Sequence, residues 1–114
     1  MNKFKYKKSI ILGGSKGIGR SVTQALKKTS KKIISLSSKD LDLSNSYSVK
    51  QFLKTHNNAD ILFLNSGGPP NLKFEEITND IWIRYFKQLF LSYCEILRKL
   101  KINKGGYIFY ISSS

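Results

Sequence analysis

The chain is predicted to fold as an α/β domain built on a parallel sheet. Three observations predict it. Apolar runs of strand length alternate with stretches of helical period along all 114 residues. The run Ala59 to Asn65 is nearly continuous in apolar residues, as a parallel strand covered on both faces must be. The first such run, Ser9 to Leu12, ends in a glycine cluster that passes directly into a helical pattern. Alternation of this kind implies parallel strands joined by right-handed crossovers.

The first strand covers about Lys8 to Leu12. The first helix is expected over Gly17 to Lys28, where Ile18, Val22, Ala25 and Leu26 share one face and Lys27 and Lys28 suit the negative end of the helix dipole. Lys32 to Ser37 is the second strand, with Ile33, Ile34 and Leu36 apolar. A loop from Ser37 to Asp40 leads to Leu41-Asp42-Leu43, which alternates like a short third strand. Ser46 is placed to cap a second helix, on which Val49, Phe52, Leu53 and His56 fall at i, i+3, i+4 and i+7. His56 therefore reads as a packed or helix-terminal residue. The fourth strand, Ala59 to Asn65, is broken by Ser66-Gly67-Gly68-Pro69-Pro70. Thr78 can cap the longest helix, about Asn79 to Lys101. Its apolar residues, from Ile81 and Trp82 to Leu97 and Leu100, cover more than one stripe, so one face is expected on the sheet and the remainder against another element or subunit. Asn103 to Gly106 end that helix, and Tyr107 to Ser112 gives the fifth strand.

Composition bounds the function. Hydrophobic residues make up 40% of the chain, which excludes a disordered polymer and supports one packed domain over 1–114. No apolar run approaches the about 20 residues that span a bilayer. The basic segment Met1 to Lys8 is followed by too few apolar residues for a signal peptide. Cys94 is the single cysteine, so an internal disulfide is excluded and a cytoplasmic location is expected. Its place in a helical apolar stretch reads as a small core residue. The formal charge of +13 is compatible with nucleic-acid binding or with steering of an anionic cofactor. Most of the 20 basic residues are lysines scattered along the chain, not grouped with aromatic stacking positions, so a lysine-rich surface is the reading preferred over a nucleic-acid module.

The glycine cluster carries the chemistry. In Leu12-Gly13-Gly14-Ser15-Lys16-Gly17-Ile18-Gly19-Arg20, glycines remove the Cβ atoms that would hold a phosphate off the backbone, and the N–H groups of the following helix face that anion. The spacing G-x-G-x-x-G does not fit, because Val22 stands where its last glycine would be. A P-loop would need lysine at Arg20, and the two side chains are not interchangeable there. The remaining pattern is Gly13-x-x-x-Gly17-x-Gly19.

That pattern is the glycine spacing of the short-chain dehydrogenase/reductase family, and the chain resembles the N-terminal half of that family from end to end. Asp42-Leu43 matches the family's acidic-apolar pair at the adenine ring. Leu64-Asn65-Ser66-Gly67 lies on its N-N-A-G segment, and the continuation Gly-Gly-Pro-Pro is similar to a subgroup labelled 3-oxoacyl-[acyl-carrier-protein]-reductase-like. Gly106 to Ser113 lies on the strand that delivers the catalytic serine. The resemblance implies a Rossmann-like three-layer α/β/α sandwich of about five strands in the order 3-2-1-4-5, with a dinucleotide across the carboxyl ends of the strands. It implies cofactor contacts from Gly13, Ser15, Lys16, Gly17, Ile18, Gly19, Ser38, Lys39, Asp42, Leu43, Asn65, Ser66 and Gly67, and a catalytic role for Ser113, with Ser114 as the one-register alternative.

The cofactor expected is NADP in preference to NAD. The end of the second strand offers Ser37, Ser38 and Lys39, with no carboxylate for a ribose diol before Asp40, and Lys16 adds a second cation. The reaction implied is hydride transfer between nicotinamide and a carbonyl or alcohol, with homo-oligomerisation through the long helix and no metal. The sequence departs from the family at Leu12, which replaces a threonine, and at Leu89, which stands where a proton-relay asparagine is usual. It contains no Tyr-x-x-x-Lys after Ser113, so the expectation is a fragment of a longer reductase, inactive alone and poorly soluble because one sheet edge is unpaired. The rival readings are a non-catalytic nucleotide-binding module, a P-loop phosphotransferase and a basic nucleic-acid-binding protein.

Overall fold

The computed structural model describes residues 4–67 and 71–111. Four parallel strands, β1 (Tyr6–Leu12), β2 (Ser30–Leu36), β3 (Asn58–Leu64) and β4 (Lys101–Tyr110), form one sheet in the order β2-β1-β3-β4. Helix α1 (Gly17–Leu26) joins β1 to β2, and α2 (Ser46–Thr55) joins β2 to β3. The connection from β3 to β4 holds a 3₁₀ turn (Phe74–Glu76), α3 (Asn79–Phe86), a π turn (Lys87–Leu91) and α4 (Ser92–Lys99). The first crossover steps one way along the sheet and the next two step the other way. Right-handed connection therefore puts α1 on one face and α2 and α4 on the other.

Side-chain alternation then builds the layers. Ile10, Leu12, Leu62 and Leu64 point to the face covered by α2 and α4, where they pack with Val49, Phe52, Tyr93 and Ile96. Ile11, Ile61 and Phe63, at the alternate positions, are buried on the side of α1. A fully buried Ile or Leu contributes roughly 1.5–3 kcal/mol, so this central pair of strands dominates the stability. Register fixes the ends: Ile10 lies between Ile34 and Leu62.

Among the described residues the sheet has four strands where five are expected. Leu41-Asp42-Leu43 is not a strand. The N–H groups of Asp40 and Leu41 both bond the Ser37 carbonyl, and the Asp42 carboxylate accepts from the Ser44 N–H and hydroxyl. Backbone groups satisfied in consecutive turns have none left for a ladder. The alternation reports burial only, with Leu41 and Leu43 inside. The remaining strands keep the expected order without the outer one.

Further boundaries differ. Asn45, not Ser46, caps α2, accepting from the Tyr47 and Ser48 N–H groups. Thr78 caps α3 as expected, accepting from the Ile81 N–H. The long helix is interrupted by the π turn and ends at Lys99, because Leu100 turns extended and Lys101 already pairs with β3. Asn103 to Gly106 lie inside β4 as a bulge, four residues opposite Asp60. Gly106 is required there, since a Cβ would lie 2.1 Å from the Asp60 carbonyl. Ile18 and Ala25 are exposed on α1, and Cys94 is exposed and not in the core. His56 ends α2 with its ring against Phe52. Burial, helped by Lys8 and Lys32, lowers its pKa.

Asp60 ties three strands together at the amino end of the sheet. One carboxylate oxygen accepts from the Lys7 and Lys8 N–H groups at 2.5 and 3.2 Å, and the other from the Asn103 amide at 2.9 Å. Burial pulls its pKa upward, but these bonds outweigh it and the net shift is downward. The carboxylate therefore adds stability above its unfolded pKa of about 3.9 and loses that contribution as pH falls through the lower folded value. Asp60→Ala is expected to lower the unfolding free energy at pH 7 by about 1–3 kcal/mol. Urea denaturation between pH 7 and 2 should also show a flatter acid dependence in the variant than in the wild type.

Candidate nucleotide-binding site

The chain runs outward in opposite directions after β1 and β3, so a crevice opens at their carboxyl ends. Gly13 leaves β1 with φ +66°, and the backbone turns back on itself before α1. A Cβ on Gly19 would lie 2.0 Å from the Gly13 carbonyl oxygen, and one on Gly13 would lie 2.7 Å from the Asn65 carbonyl oxygen. The turn is therefore packed backbone against backbone. Gly17 differs: its φ of +54° asks for glycine, but a Cβ there would meet open space. Its N–H belongs to the first turn of α1, where no intrahelical partner exists, and Gly17 is exposed. Gly14, not among the expected contacts, packs against side chains instead: a Cβ would lie 1.9 Å from the Ser35 hydroxyl, which can move where the Gly13 backbone cannot.

The second wall is the turn from Ser37 to Leu43. Asp40 accepts from the Ser37 N–H at 2.9 Å and from its hydroxyl at 3.0 Å, and these bonds lower its pKa. The Lys39 N–H bonds the Ser37 hydroxyl, and its side chain is exposed. Leu41 and Leu43 turn inward and join Leu12 and Leu36 as an apolar floor to the cleft, while Asp42 stands at its rim.

The third wall follows β3. The Asn65 amide donates to the Gly13 carbonyl at 3.4 Å, joining the two strand ends. Ser66 and Gly67 continue along the cleft, each held from the helix that follows. Tyr93 Oη donates to Ser66 Oγ at 2.9 Å, and Gln88 Nε2 donates to the Gly67 carbonyl at 2.6 Å. Burial raises the Tyr93 pKa, partly offset by the bond to Ser66, so the hydroxyl stays a donor.

One cleft thus brings together Gly13, Ser38, Asp42, Leu43, Asn65, Ser66 and Gly67 of the expected contacts. Ser15, Lys16, Gly17 and Ile18 are exposed at the turn and start of α1, beside the cleft and not in its lining; Gly19 is buried beneath them, and Lys39 is exposed and not in the lining. Ser113 and Ser114, the catalytic candidates, and Gly68-Pro69-Pro70 lie outside the described residues. Gln88 was not singled out by sequence reasoning. The available signal was an amide one position before Leu89. Among the described residues no group of three or more His, Cys, Asp or Glu could hold a metal ion, and no helix is long and apolar enough to cross a membrane.

No protein-family model matches the sequence, and no curated protein matches it. Solved structures do match by shape. A small-chain dehydrogenase superposes with a TM-score of 0.74 at 22% identity, over 91% of this chain and 57% of that one. The chain has the fold of the short-chain dehydrogenases. BdcA, solved in complex with NADPH, gives 0.74 at 22% identity over 98% of this chain and 54% of its own. A metagenomic short-chain oxidoreductase in complex with NADP gives 0.66 at 19% identity over 98% and 63%. The chain therefore spans little more than half the length of these proteins.

The glycines make separable predictions. Gly19→Ala forces a backbone carbonyl to move and should destabilise the fold by about 3 kcal/mol or more. Gly17→Ala meets no atom and should cost only about 1 kcal/mol for its positive φ. Chemical denaturation of the two variants checks the contrast, and equal losses would contradict it.

Proposed function

We propose that the chain is the cofactor-binding half of an NADP-dependent oxidoreductase of the short-chain dehydrogenase/reductase type. The observation that carries this reading is the cleft itself. Backbone is exposed for a phosphate at Gly17, an apolar floor of Leu12, Leu36, Leu41 and Leu43 suits a flat ring, and Asn65 to Gly67 supply polar groups along one wall. These residues fit a dinucleotide. Three supports stand beside the cleft: the glycine spacing, the fold shared with dehydrogenases, and the NADPH or NADP bound in two of those structures.

Preference for the 2′-phosphate follows from Asp40. An NAD site needs a carboxylate free to accept from the ribose 2′-OH. One oxygen of this turn's carboxylate, Asp40 Oδ2, is held by the Ser37 N–H and hydroxyl, and Asp40 does not line the cleft, while Lys39 and Lys16 are exposed. Ser38 faces the cleft and can donate to the same phosphate. When bound, the nicotinamide supplies the hydride exchanged with a carbonyl or alcohol carbon. Ser113 is the residue assigned to hold the reacting oxygen, and the proton donor is assigned to a longer chain. Self-association of that longer protein is assigned to the face carrying Trp82, Ile83, Phe86 and Phe90, four apolar side chains about half exposed on α3 and the π turn.

Titration with NADPH and NADH tests the reading. NADPH should bind about tenfold or more tightly than NADH, and Lys39→Asp should remove most of that preference. Retention of ATP only with Mg²⁺, or equal affinity for the two dinucleotides, would contradict it.

A further inference from the structure

In an uninterrupted α-helix, residues five apart diverge by about 140° around the axis. Gln88 and Tyr93 are five apart, and both reach the same two-residue segment after β3. The π turn makes this possible. The Ser92 N–H closes it on the Lys87 carbonyl, which takes one extra residue into the turn and swings Gln88 toward the face that carries Tyr93. The two donors then act on neighbouring residues: Tyr93 on the Ser66 hydroxyl and Gln88 on the Gly67 carbonyl. Tyr93 is anchored in turn, buried with its ring edge-on to Tyr110 at 5.6 Å. Gly67 has no such support of its own, since a side chain there would meet open space.

We infer that Gln88 and Tyr93 are positioning residues, a two-point clamp that the π turn aims at Ser66 and Gly67 to hold that wall of the cleft in its binding shape. The inference rests on the dinucleotide reading of the cleft. Without the clamp, the segment samples other shapes, and only the fraction in the right one binds, which weakens affinity in proportion. Gln88 itself lines the cleft and Tyr93 stands behind it. The clamp belongs to the helix that follows β3, so any displacement of α3 and α4 is transmitted to the cleft through these two bonds.

The test uses the chain with Gln88→Met, Tyr93→Phe and Gln88→Glu, read by backbone amide NMR order parameters and by NADPH titration. The wild-type Gly67 amide should show an order parameter near 0.85, falling below about 0.6 in Gln88→Met and Tyr93→Phe. Each of these two should weaken NADPH binding about five- to tenfold, and the double variant by less than the product, because one segment is freed only once. Gln88→Glu should bind poorly at pH 8 and recover relative to wild type as pH falls toward about 4, where a protonated carboxyl can donate to the Gly67 carbonyl. A purely structural role for Gln88 would not give that pH profile. Unchanged order parameters would overturn the clamp. A loosened segment with unchanged NADPH affinity would overturn its role in binding. No NADPH binding by the wild type would overturn the cofactor reading and the positioning role with it, while the order parameters would still report whether the clamp exists.

Discussion

The structure depends on one close approach of backbone to backbone. The Gly13 carbonyl sits where a Cβ of residue 19 would be, and the Asn65 carbonyl sits where a Cβ of residue 13 would be. The exit of β1 and the start of α1, six residues on, are thereby brought against each other, and the exit of β3, far along the chain, against the exit of β1, backbone to backbone. The Asn65 amide closes the arrangement by bonding Gly13. Everything functional is referred to this point. It sets how closely α1 sits on the sheet, which leaves its first turn facing the crevice, and it places the segment after Asn65 along the opposite wall.

Much of this was legible in the sequence because glycine leaves an unambiguous mark. Gly13, Gly17 and Gly19 predicted a strand, a turn and a helix start, and each is where the spacing puts it. The nearly continuous apolar run before Asn65 predicted a strand covered on both faces, and β3 is buried from Ile61 to Leu64. Other signals reported burial and were read as secondary structure. Leu41 and Leu43 are inside as their alternation requires, but Asp40, Asp42 and Ser44 satisfy the local backbone before a ladder can form. Ser46 and Asn45 are both good caps, and nothing in composition ranks them; the observed choice is Asn45.

The longest helix was the least legible element. Its apolar residues cover more than one stripe, and no 3.6-residue pattern marks an inserted residue. The π turn brings Gln88 to the Gly67 carbonyl, and that alignment is a tertiary property that the helix's own sequence does not display. The amide that faces the cleft is Gln88, one position before Leu89. The same helix keeps Tyr93, Ile96 and Leu100 inside and leaves Trp82, Phe86 and Phe90 outside. One face packs on the sheet as expected, while the other, expected against another element or subunit, is exposed.

The two ends of the sheet divide the chemistry. At the amino end, Asp60 gathers the backbone of β1 and the amide of Asn103 into a structural tie. At the carboxyl end, glycines and short polar side chains leave the backbone accessible. The central claim, that the carboxyl end is the nucleotide site, is tested most directly by mapping backbone amide chemical shifts during titration with 2′,5′-ADP. The account predicts the largest changes at Gly17, Ser38, Asn65, Ser66 and Gly67. Changes concentrated instead on Lys5, Lys7, Asn103 and Gly105, at the amino end, would contradict it.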